Sequence, residues 1–447
     1  MDLSPVAHAR SDSDDLFDKC RRFTAFLDGL RACQVYQALY RVTLDGGLDR
    51  RIQVFNPLVG GQQEMLCFDS NSYLHLHRHP RVVERTRRVL GRVGYGTASA
   101  QLLCGTNRYL RELEDVVSEF HGRQSTLVFP SGYAANLGAI TALVTERDLV
   151  AYDRFSHASI HDACRATRSR RARRYPHRDH RALARILERA AREPDGGGKL
   201  VVTDGVFSMH GTLAPLPELV ALKRRHGAKL MVDEAHSTGV IGPTGRGLEE
   251  HYRLPDSIDV LMGTFSKAPG TIGGYVTGSR ELIDYLRFFA RSAMFTAALP
   301  AALCAGIAEA FRVMQREPEH RERLWQNVRR LTRGLSQAGF DISPAQSPIV
   351  TVFMGSERLL LCLSRDLFRA GVKAGNVAYP AVPKGEAVLR LTVNARHTDE
   401  DLDRVVDVLT ELSKRYGIHG RDPADVRAIG ERLSLEPPSS PSPQRAA

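Results

Sequence analysis

The sequence predicts an α/β protein in which a large domain with a mostly parallel sheet precedes a smaller α+β C-terminal domain. Between residues 125 and 278, short apolar runs alternate with helical stretches. Strands that alternate with helices form a mostly parallel sheet covered on both faces. After Pro300 this alternation ends, and a different series of helices and strands indicates a separate α+β unit.

The predicted elements follow one another along the chain. Residues 16–42 carry apolar side chains at helical spacing, which predicts a helix in this segment. In the large domain we expect helices over 131–144 and 215–227 and strands over 125–130, 148–153, 199–207, 228–236, 259–266 and 273–278. In the small domain we expect helices over 302–315, 319–335 and 399–417 and strands over 347–355, 377–380 and 387–394.

Domain boundaries follow from these elements and from the composition of the chain ends. We expect an N-terminal arm and helix over residues 1–68, the large domain over 69–298 and the small domain over 299–420. Residues 421–447 are expected to be a mostly disordered tail, because EPPSSPSPQRAA is rich in Pro and Ser.

The composition is that of an ordinary globular protein. Hydrophobic residues make up 43% of the 447 residues and charged residues 25%, which excludes a disordered chain and a disulfide scaffold. The formal net charge of +11 favours an anionic ligand or partner, but we expect no nucleic acid. We also expect no membrane span and no secretory signal, and the seven scattered cysteines favour the reduced cytoplasm.

The segment GTFSKAPGTIGGYVTG, residues 263–278, contains the central candidate for chemistry. Lys267 follows an apolar strand and lies among hydroxyl side chains and glycines, which let a ligand approach the backbone. A single lysine in a loop is usually a solvated charge. A lysine amine held among polar groups at a strand end, however, can form a Schiff base with a carbonyl cofactor.

A second segment, MVDEAHSTG, places Asp233 directly after another apolar run. A buried carboxylate there can pair with a pyridinium nitrogen and keep the ring electron-withdrawing. A helix N-cap is an equally good interpretation of Asp233 taken alone. His236 lies three residues later and could reach the phenolate side of such a ring.

Four further segments complete a set of candidate residues at strand ends. The small residues of FPSGYAANLG open a helix whose free N–H groups suit a phosphate. His157 could stack on an aromatic ring, Ser208 could donate to a ring oxygen, and Arg390 could bind a carboxylate. Together with an imine-forming lysine and a partner for a ring nitrogen, this set favours pyridoxal 5′-phosphate (PLP) over any other cofactor.

The sequence closely resembles the α-oxoamine synthases, a branch of the fold-type I PLP enzymes. VDEAHSTGVIGPTGRG and GTFSKAPGTIGGYVTGS carry the resemblance, which extends from about Asp69 to about Val405. The family includes 8-amino-7-oxononanoate synthase, glycine C-acetyltransferase, 5-aminolevulinate synthase and serine palmitoyltransferase. The resemblance implies the PLP-dependent fold-type I architecture and a homodimer with shared active sites.

Carried over by position, the resemblance assigns a role to each matching residue. The implied catalytic residues are Lys267, which forms the imine, Asp233, His157 and His236. The residues implied to bind PLP are Gly132, Tyr133, His157, Ser208, Asp233, His236, Thr264, Ser266, Lys267 and, from the partner subunit, Thr296. Asn71 and Arg390 are implied to bind the amino acid substrate.

The reaction that the resemblance implies joins an amino acid to an acyl group from acyl-CoA or an acyl carrier protein, usually with loss of CO2. The amino acid is alanine, serine or glycine, and the product is an α-amino ketone. A glycine C-acetyltransferase-like activity, another fold-type I reaction such as transamination, and a catalytically silent subunit are the alternatives. Lys267 disfavours the silent subunit, and the two long motifs disfavour an aminotransferase.

Several positions depart from the usual family pattern without removing a cofactor residue. They are His75, Gln101, Leu110 and His210. Ala100 lies where some glycine-using members carry threonine, and its smaller side chain leaves room for a substituent on the substrate Cα. We therefore expect alanine or serine to be preferred over glycine.

Two features of the sequence have both a functional and a structural interpretation. The basic run at 165–181 could bind CoA phosphates or an acidic acyl carrier protein, or it could form a solvated, Arg-rich surface helix and turn. His75, His77 and His79 alternate as metal ligands on a strand would. Because a proline follows and no carboxylate lies at ligand spacing, we expect no metal.

Overall fold

The protein is described by a computed structural model that covers residues 3, 5–194, 196–342 and 344–435. Its strands are β1 Arg51–Asn56, β2 Gly61–Phe68, β3 Ser125–Phe129, β4 Leu149–Asp153, β5 Arg171–Tyr175, β6 Lys199–Asp204, β7 Lys229–Asp233, β8 Val260–Thr264, β9 Gly274–Gly278, β10 Ile349–Gly355, β11 Val372–Val377 and β12 Ala387–Thr392. Its α-helices are α1 Asp18–Ala32, α2 Val35–Leu39, α3 Pro80–Val93, α4 Arg108–His121, α5 Gly132–Leu143, α6 Ala158–Ala166, α7 His180–Ala191, α8 Leu216–His226, α9 Leu248–Tyr252, α10 Arg280–Phe289, α11 Arg291–Met294, α12 Ala301–Arg316, α13 Glu319–Gln337, α14 Glu357–Arg369, α15 Asp399–Arg415 and α16 Pro423–Arg432.

Seven strands form the sheet of the large domain in the order β3-β9-β8-β7-β6-β4-β5. β9 is antiparallel to both of its neighbours, and the other pairs are parallel. β4, β8 and β9 are buried along their whole length, as strands are when helices cover both faces of a sheet. The predicted mostly parallel sheet is confirmed.

Helices pack on both faces of this sheet and enclose its apolar side chains. On one face α5, α6 and α10 contribute Ile140, Ile160 and Leu286 to the core. On the other face α4 and α12 contribute Leu113 and Phe311. Among the described residues, no helix combines the length and the apolar character that crossing a membrane requires.

A second sheet of five strands, in the order β1-β2-β11-β12-β10, joins the N-terminal segment to the small domain. β2 runs parallel to β11, with Leu66 opposite Val372, and β1 continues the sheet as an antiparallel neighbour of β2. Along β1, exposed and buried side chains alternate. The segment expected as an arm and helix therefore also supplies two strands, and one of them, β2, pairs with β11 some 300 residues later in the chain.

Two segments differ from their predicted structure. The basic run contains the edge strand Arg171–Tyr175 rather than a surface helix and turn. This strand pairs with β4 through its backbone, so its arginine side chains need no burial. In the small domain, the strand predicted over 377–380 lies earlier, at Val372–Val377.

The predicted disordered tail also differs from the structure at its beginning. Pro423–Arg432 is a helix with Asp422 as its N-cap, and Val426 and Gly430 on it are buried. This helix packs beside β10 and α14. Residues 436–447 of the predicted tail lie outside the described part of the chain.

Candidate active site

Three neighbouring strands of the large sheet end in polar residues at one edge. Asp204 ends β6, Asp233 ends β7 and Thr264 ends β8. Asp204 and Asp233 are paired in register, and Lys267 follows Thr264 by three residues. Because parallel strands bring their carboxyl ends to the same edge of a sheet, these side chains define one site.

Asp233 is buried, and both of its carboxylate oxygens accept hydrogen bonds. Oδ2 accepts from Nδ2 of Asn136 at 2.7 Å, and Oδ1 accepts from the backbone N–H of Ala235 at 2.9 Å. Asn136, on α5, is also buried and donates to Oγ of Ser159 at 2.9 Å. These partners fix the orientation of the carboxylate.

Asp204 lies beside Asp233 in a different electrostatic state. Its Oδ1 accepts the backbone N–H of His157 at 3.0 Å. Burial raises the pKa of Asp204 well above its ordinary value, and the negative charge of Asp233 raises it further. Two adjacent buried carboxyl groups therefore disfavour a negative charge on Asp204.

Compared with water, the buried environment of Lys267 favours the neutral form of its amine. Burial lowers the pKa of Lys267, whereas the carboxylates of Asp233 and Asp204 oppose that shift. The neutral amine is the form that adds to a carbonyl carbon. Lys267 therefore has both the position and the charge state for covalent attachment to an aldehyde.

His236 is buried and forms a hydrogen bond with Tyr73. Its Nδ1 lies 2.6 Å from the tyrosine hydroxyl. Burial lowers the pKa of His236 well below its ordinary value, and the positive charge of Lys267 lowers it further. Burial also raises the pKa of Tyr73 to about 12. Both groups are neutral near pH 7, so they can contact a ligand through hydrogen bonds without changing the charge of the site.

His157 caps α6 and keeps its ring exposed. Its Nδ1 lies 2.7 Å from Oγ of Ser159 and accepts the backbone N–H of the same residue at 3.3 Å. Tyr133 lies edge-on to this ring, with the two centroids 6.5 Å apart. An imidazole held through one nitrogen in this way can present its face to a flat ring.

Amide and hydroxyl groups crowd together where α5 begins beside the end of β8. A Cβ at Gly132 would lie 3.0 Å from Met262 Cε and 3.1 Å from Thr264 Oγ1. Oγ1 of Thr264 donates to the carbonyl of Gly273 at 2.9 Å and lies 3.0 Å from Oγ of Ser266. Since the first N–H groups of a helix lack intrahelical partners, this cluster suits a phosphate.

Arg390 on β12 connects the small domain to the site. Its Nε donates to the carbonyl of Ser208 at 2.8 Å, and its Nη2 donates to Oδ1 of Asn71 at 3.0 Å. The structure therefore brings together three residues that the sequence analysis singled out. A guanidinium has five N–H donors, so Arg390 retains donors for a substrate carboxylate.

Thr296 lies beside Ala100 in the structure. A backbone bridge joins Ala100 to Ala297, and the N–H of Ala298 donates to the carbonyl of Ser99 at 2.9 Å. Phe295 on the same segment is 71% exposed. The role of Thr296 toward the phosphate of a partner subunit stays a prediction.

Three residues of this site were not among the sequence-predicted ones. Asn136 is an isolated amide in the helix GYAANLGAITAL, and its polarity among small and apolar neighbours was a usable signal. Asp204 ends an apolar strand as Asp233 does, but the rise in its pKa comes from burial and from the adjacent Asp233, which only the structure shows. Tyr73 forms a hydrogen bond with His236, 163 positions away, and no local sequence pattern predicts such a contact.

Of the three alternating histidines, His79 lies apart with Glu317 and His320. The ligand-type atoms of these three side chains lie within 4.8 Å of one another. Arg81 forms an ion pair with Glu317 and so neutralises the carboxylate that a cation would need. The expectation of no metal stays a prediction.

Comparison with known proteins connects this site to a family. Residues 63–409 match the family described as aminotransferase class I and II. An 8-amino-7-oxononanoate synthase of Geobacter metallireducens is 42% identical over 380 residues, which cover 83% of this chain and 96% of that protein. The 4-hydroxy-2,2'-bipyrrole-5-methanol synthase PigH of a Serratia species is 38% identical over 90% of this chain. The chain spans only 61% of the length of PigH.

A solved structure extends the comparison to the fold. A serine palmitoyltransferase with PLP as its internal aldimine superimposes with a TM-score of 0.85 at 31% identity, over 90% of this chain and all of that one. The family match covers well over half of the chain. This protein therefore belongs to the aminotransferase class I and II family, in its α-oxoamine synthase branch.

Proposed function

We propose that this protein is a PLP-dependent acyltransferase that condenses an amino acid with an acyl thioester, with loss of CO2, to give an α-amino ketone. The observation that carries the proposal is the meeting of Lys267, Asp233 and Arg390 at one edge of the large sheet. The relatives named 8-amino-7-oxononanoate synthase and the neighbour named serine palmitoyltransferase support it.

The residues present fit PLP. When bound, PLP supplies a protonated aromatic ring that withdraws electrons from the substrate Cα. Asp233 would face the ring nitrogen, Lys267 would hold the aldehyde carbon, and the amides and hydroxyls around Gly132 would hold the phosphate. The fixed carboxylate of Asp233 and the space that a Cβ at Gly132 would fill are the observations that support this fit.

Arg390 would orient the amino acid by its carboxylate. Its Nε and Nη2 donate hydrogen bonds to Ser208 and Asn71, and these bonds fix the orientation of the planar guanidinium. A carboxylate bound to it in a forked geometry fixes the rotation about the Cα. That rotation decides which bond of the Cα stands perpendicular to the ring and can break.

Lys267 would then move the proton at the Cα. Burial lowers the pKa of its amine, which favours the neutral form that can accept this proton. His236 and Tyr73, both neutral, line the site without competing for the proton. The Cα would then bond to the acyl carbon of the thioester as the thiol leaves. Loss of the substrate carboxylate as CO2 and return of a proton to the Cα would give the α-amino ketone.

The amino acid preference is the finer part of this proposal and has a direct test. We expect alanine or serine to give a higher kcat/KM than glycine, because Ala100 replaces a bulkier threonine. The measurement is thiol release from acyl-CoAs of rising chain length, each combined with glycine, alanine and serine, with the products identified by mass spectrometry. A clear preference for glycine with acetyl-CoA contradicts this assignment and favours the glycine C-acetyltransferase-like alternative.

We also propose a homodimer whose subunits share their active sites. Large apolar side chains are exposed on two segments that contact each other, 288–295 and 90–103. These side chains are Leu90, Val93, Tyr95, Leu102, Leu103, Phe288, Phe289 and Phe295. An exposed apolar patch of this kind is typical of an association surface, and Thr296 directly follows Phe295.

The replacement Phe295→Glu is expected to shift the protein from dimer to monomer and to lower its activity, because a charge would be buried in the interface. Phe55→Glu, at a position 60% exposed on β1, is the matched control and should leave the dimer intact. Sedimentation velocity reads the mass of both variants. A wild-type protein that sediments at the 49.6 kDa of one chain contradicts the shared site.

The proposed compartment is the cytoplasm. All seven cysteines are free, and four of them, including Cys67 and Cys164, are buried in the folded chain. Free cysteines persist where the environment is reducing. The acyl-CoA and amino acid substrates of the proposed reaction support the same compartment.

A further inference from the structure

A chain of hydrogen bonds connects Asp233 to His157 in the candidate active site. Nδ2 of Asn136 donates to Oδ2 of Asp233 at 2.7 Å and to Oγ of Ser159 at 2.9 Å. Oγ of Ser159 in turn lies 2.7 Å from Nδ1 of His157. Two helices that pack against each other, α5 and α6, carry Asn136 and Ser159. The residue proposed to face the ring nitrogen and the residue predicted to stack on the ring are therefore linked through two intermediate side chains.

The chemistry of the groups fixes the direction of the bonds at Asn136. A carboxylate only accepts hydrogen bonds, and an amide nitrogen only donates, through two hydrogen atoms. Asn136 therefore uses one hydrogen for Asp233 and the other for Ser159. The opposite orientation of the amide would place its carbonyl oxygen against the carboxylate, with two acceptors facing each other. Asn136 and Ser159 are both fully buried, so solvent does not reach either side chain.

The same direction continues from Ser159 to His157. Because Oγ of Ser159 accepts the hydrogen bond from Asn136, the single hydrogen of its hydroxyl is available for Nδ1 of His157. The backbone N–H of Ser159 donates to the same nitrogen at 3.3 Å. Nδ1 can accept these bonds only when it carries no proton, so the proton of the neutral ring lies on Nε2. The other tautomer would place the N–H of the His157 ring against the N–H of Ser159.

We infer that Asn136 and Ser159 are positioning residues, which join the carboxylate of Asp233 to the ring of His157 and hold that ring as its Nε2–H tautomer. This inference rests on the proposed function, which gives Asp233 and His157 their roles toward PLP. Held in this way, His157 keeps Nε2–H as a hydrogen-bond donor for the substrate. Its ring and the carboxylate of Asp233 are fixed relative to each other before a ligand binds.

The replacement Asn136→Asp keeps the shape of the side chain and reverses the direction of the bonds. The new carboxyl lies beside Asp233, and two buried carboxyl groups in contact favour a proton on one of them. It then donates its hydrogen to Asp233 and accepts the hydroxyl hydrogen of Ser159, which is lost to His157. We expect the ratio of the Nδ1–H to the Nε2–H tautomer of His157 to rise about fivefold or more, the effect of one neutral hydrogen bond.

Two serine variants accompany this replacement. Ser159→Ala removes the hydroxyl hydrogen directly and should raise the tautomer ratio to a similar extent, without a new acidic group. Ser156→Ala is the matched control, because Ser156 is also buried and directly precedes His157. Its hydroxyl forms no hydrogen bond within the described part of the chain, so its removal should leave the ratio unchanged.

The measurement is ¹⁵N solid-state NMR of the PLP-loaded protein labelled in its histidine side chains. The ¹⁵N shifts of an imidazole show which ring nitrogen carries the proton, and a His157→Gln variant identifies the signals of His157 by their loss. Spectra are recorded at about pH 8, where an ordinary imidazole is neutral. In steady-state kinetics, kcat/KM of Asn136→Asp should fall by about fivefold or more, while that of Ser156→Ala stays at the wild-type value.

A wild-type His157 with its proton on Nδ1 would overturn the inference. So would a tautomer ratio that stays unchanged in both Asn136→Asp and Ser159→Ala, or a changed ratio in Asn136→Asp with wild-type kcat/KM. If Asn136→Asp does not fold, the ratio in Ser159→Ala decides the test. Failure to take up PLP, read by absorption, contradicts the proposed function instead, so the two failures are distinguishable.

Discussion

Replacing Lys267 with alanine is expected to abolish product formation and the visible absorption band of protein-bound PLP. The loss in kcat should reach about 10⁴-fold or more, because the variant lacks both the amine that holds the cofactor and the base that moves the Cα proton. Thiol release from an acyl-CoA, measured with the preferred amino acid, quantifies the loss. Absorption spectra after addition of PLP measure the attachment.

A matched control separates this effect from a general loss of positive charge. Lys229 begins β7 at the opposite edge of the sheet and pairs there with Asp259 at 3.2 Å. Lys229→Ala should retain the absorption band and most of the activity. A Lys267→Ala protein with near wild-type turnover would rule out the role given to this lysine.

The replacement Asp233→Asn is expected to lower kcat/KM by roughly 10²- to 10⁴-fold, the range that follows from breaking a buried charged pair. An amide of the same shape preserves the packing but cannot hold the ring nitrogen protonated. The amide oxygen of the new side chain can accept only one of the two hydrogen bonds that Asn136 and Ala235 donate, and the fold should survive the loss of the other. Steady-state kinetics at saturating PLP separate this effect from weaker cofactor binding.

The neighbouring carboxyl group provides the control. Asp204 is equally buried, and burial followed by the charge of Asp233 raises its pKa well above the ordinary value. Because a protonated carboxyl and an amide are similar in charge and shape, Asp204→Asn should lower kcat/KM by less than about tenfold. Equal losses in the two variants would show that the negative charge does not belong to Asp233 alone.

Much of the site could be predicted because its residues lie at strand ends, where sequence and position in space are closely linked. An apolar run that stops at Asp233 or just before Lys267 marks the edge of a parallel sheet. The order of the strands in that sheet need not be known, since all parallel strands end at the same edge. Asp204 also ends an apolar run, but a sequence cannot show that its carboxyl group lies beside that of Asp233.

Other parts of the structure depend on contacts that are distant in sequence. Strand β2 of the β1–β2 hairpin pairs with β11 through backbone groups. Backbone pairing depends little on side-chain type, so the sequence does not indicate it. The edge strand Arg171–Tyr175 looked like a solvated segment because Arg173 and Arg174 are exposed while the backbone of the strand completes the sheet. Tyr73 belongs to the site through its hydrogen bond to His236, which is distant in sequence.

The most direct test of the central claim is the position of the covalent bond between the protein and PLP. The PLP-loaded protein is reduced with borohydride, digested and mapped by mass spectrometry. We predict a pyridoxyl group on the peptide that contains Lys267 and on no other lysine peptide. A protein that takes up no PLP, or that carries the group on a different lysine, would contradict the account.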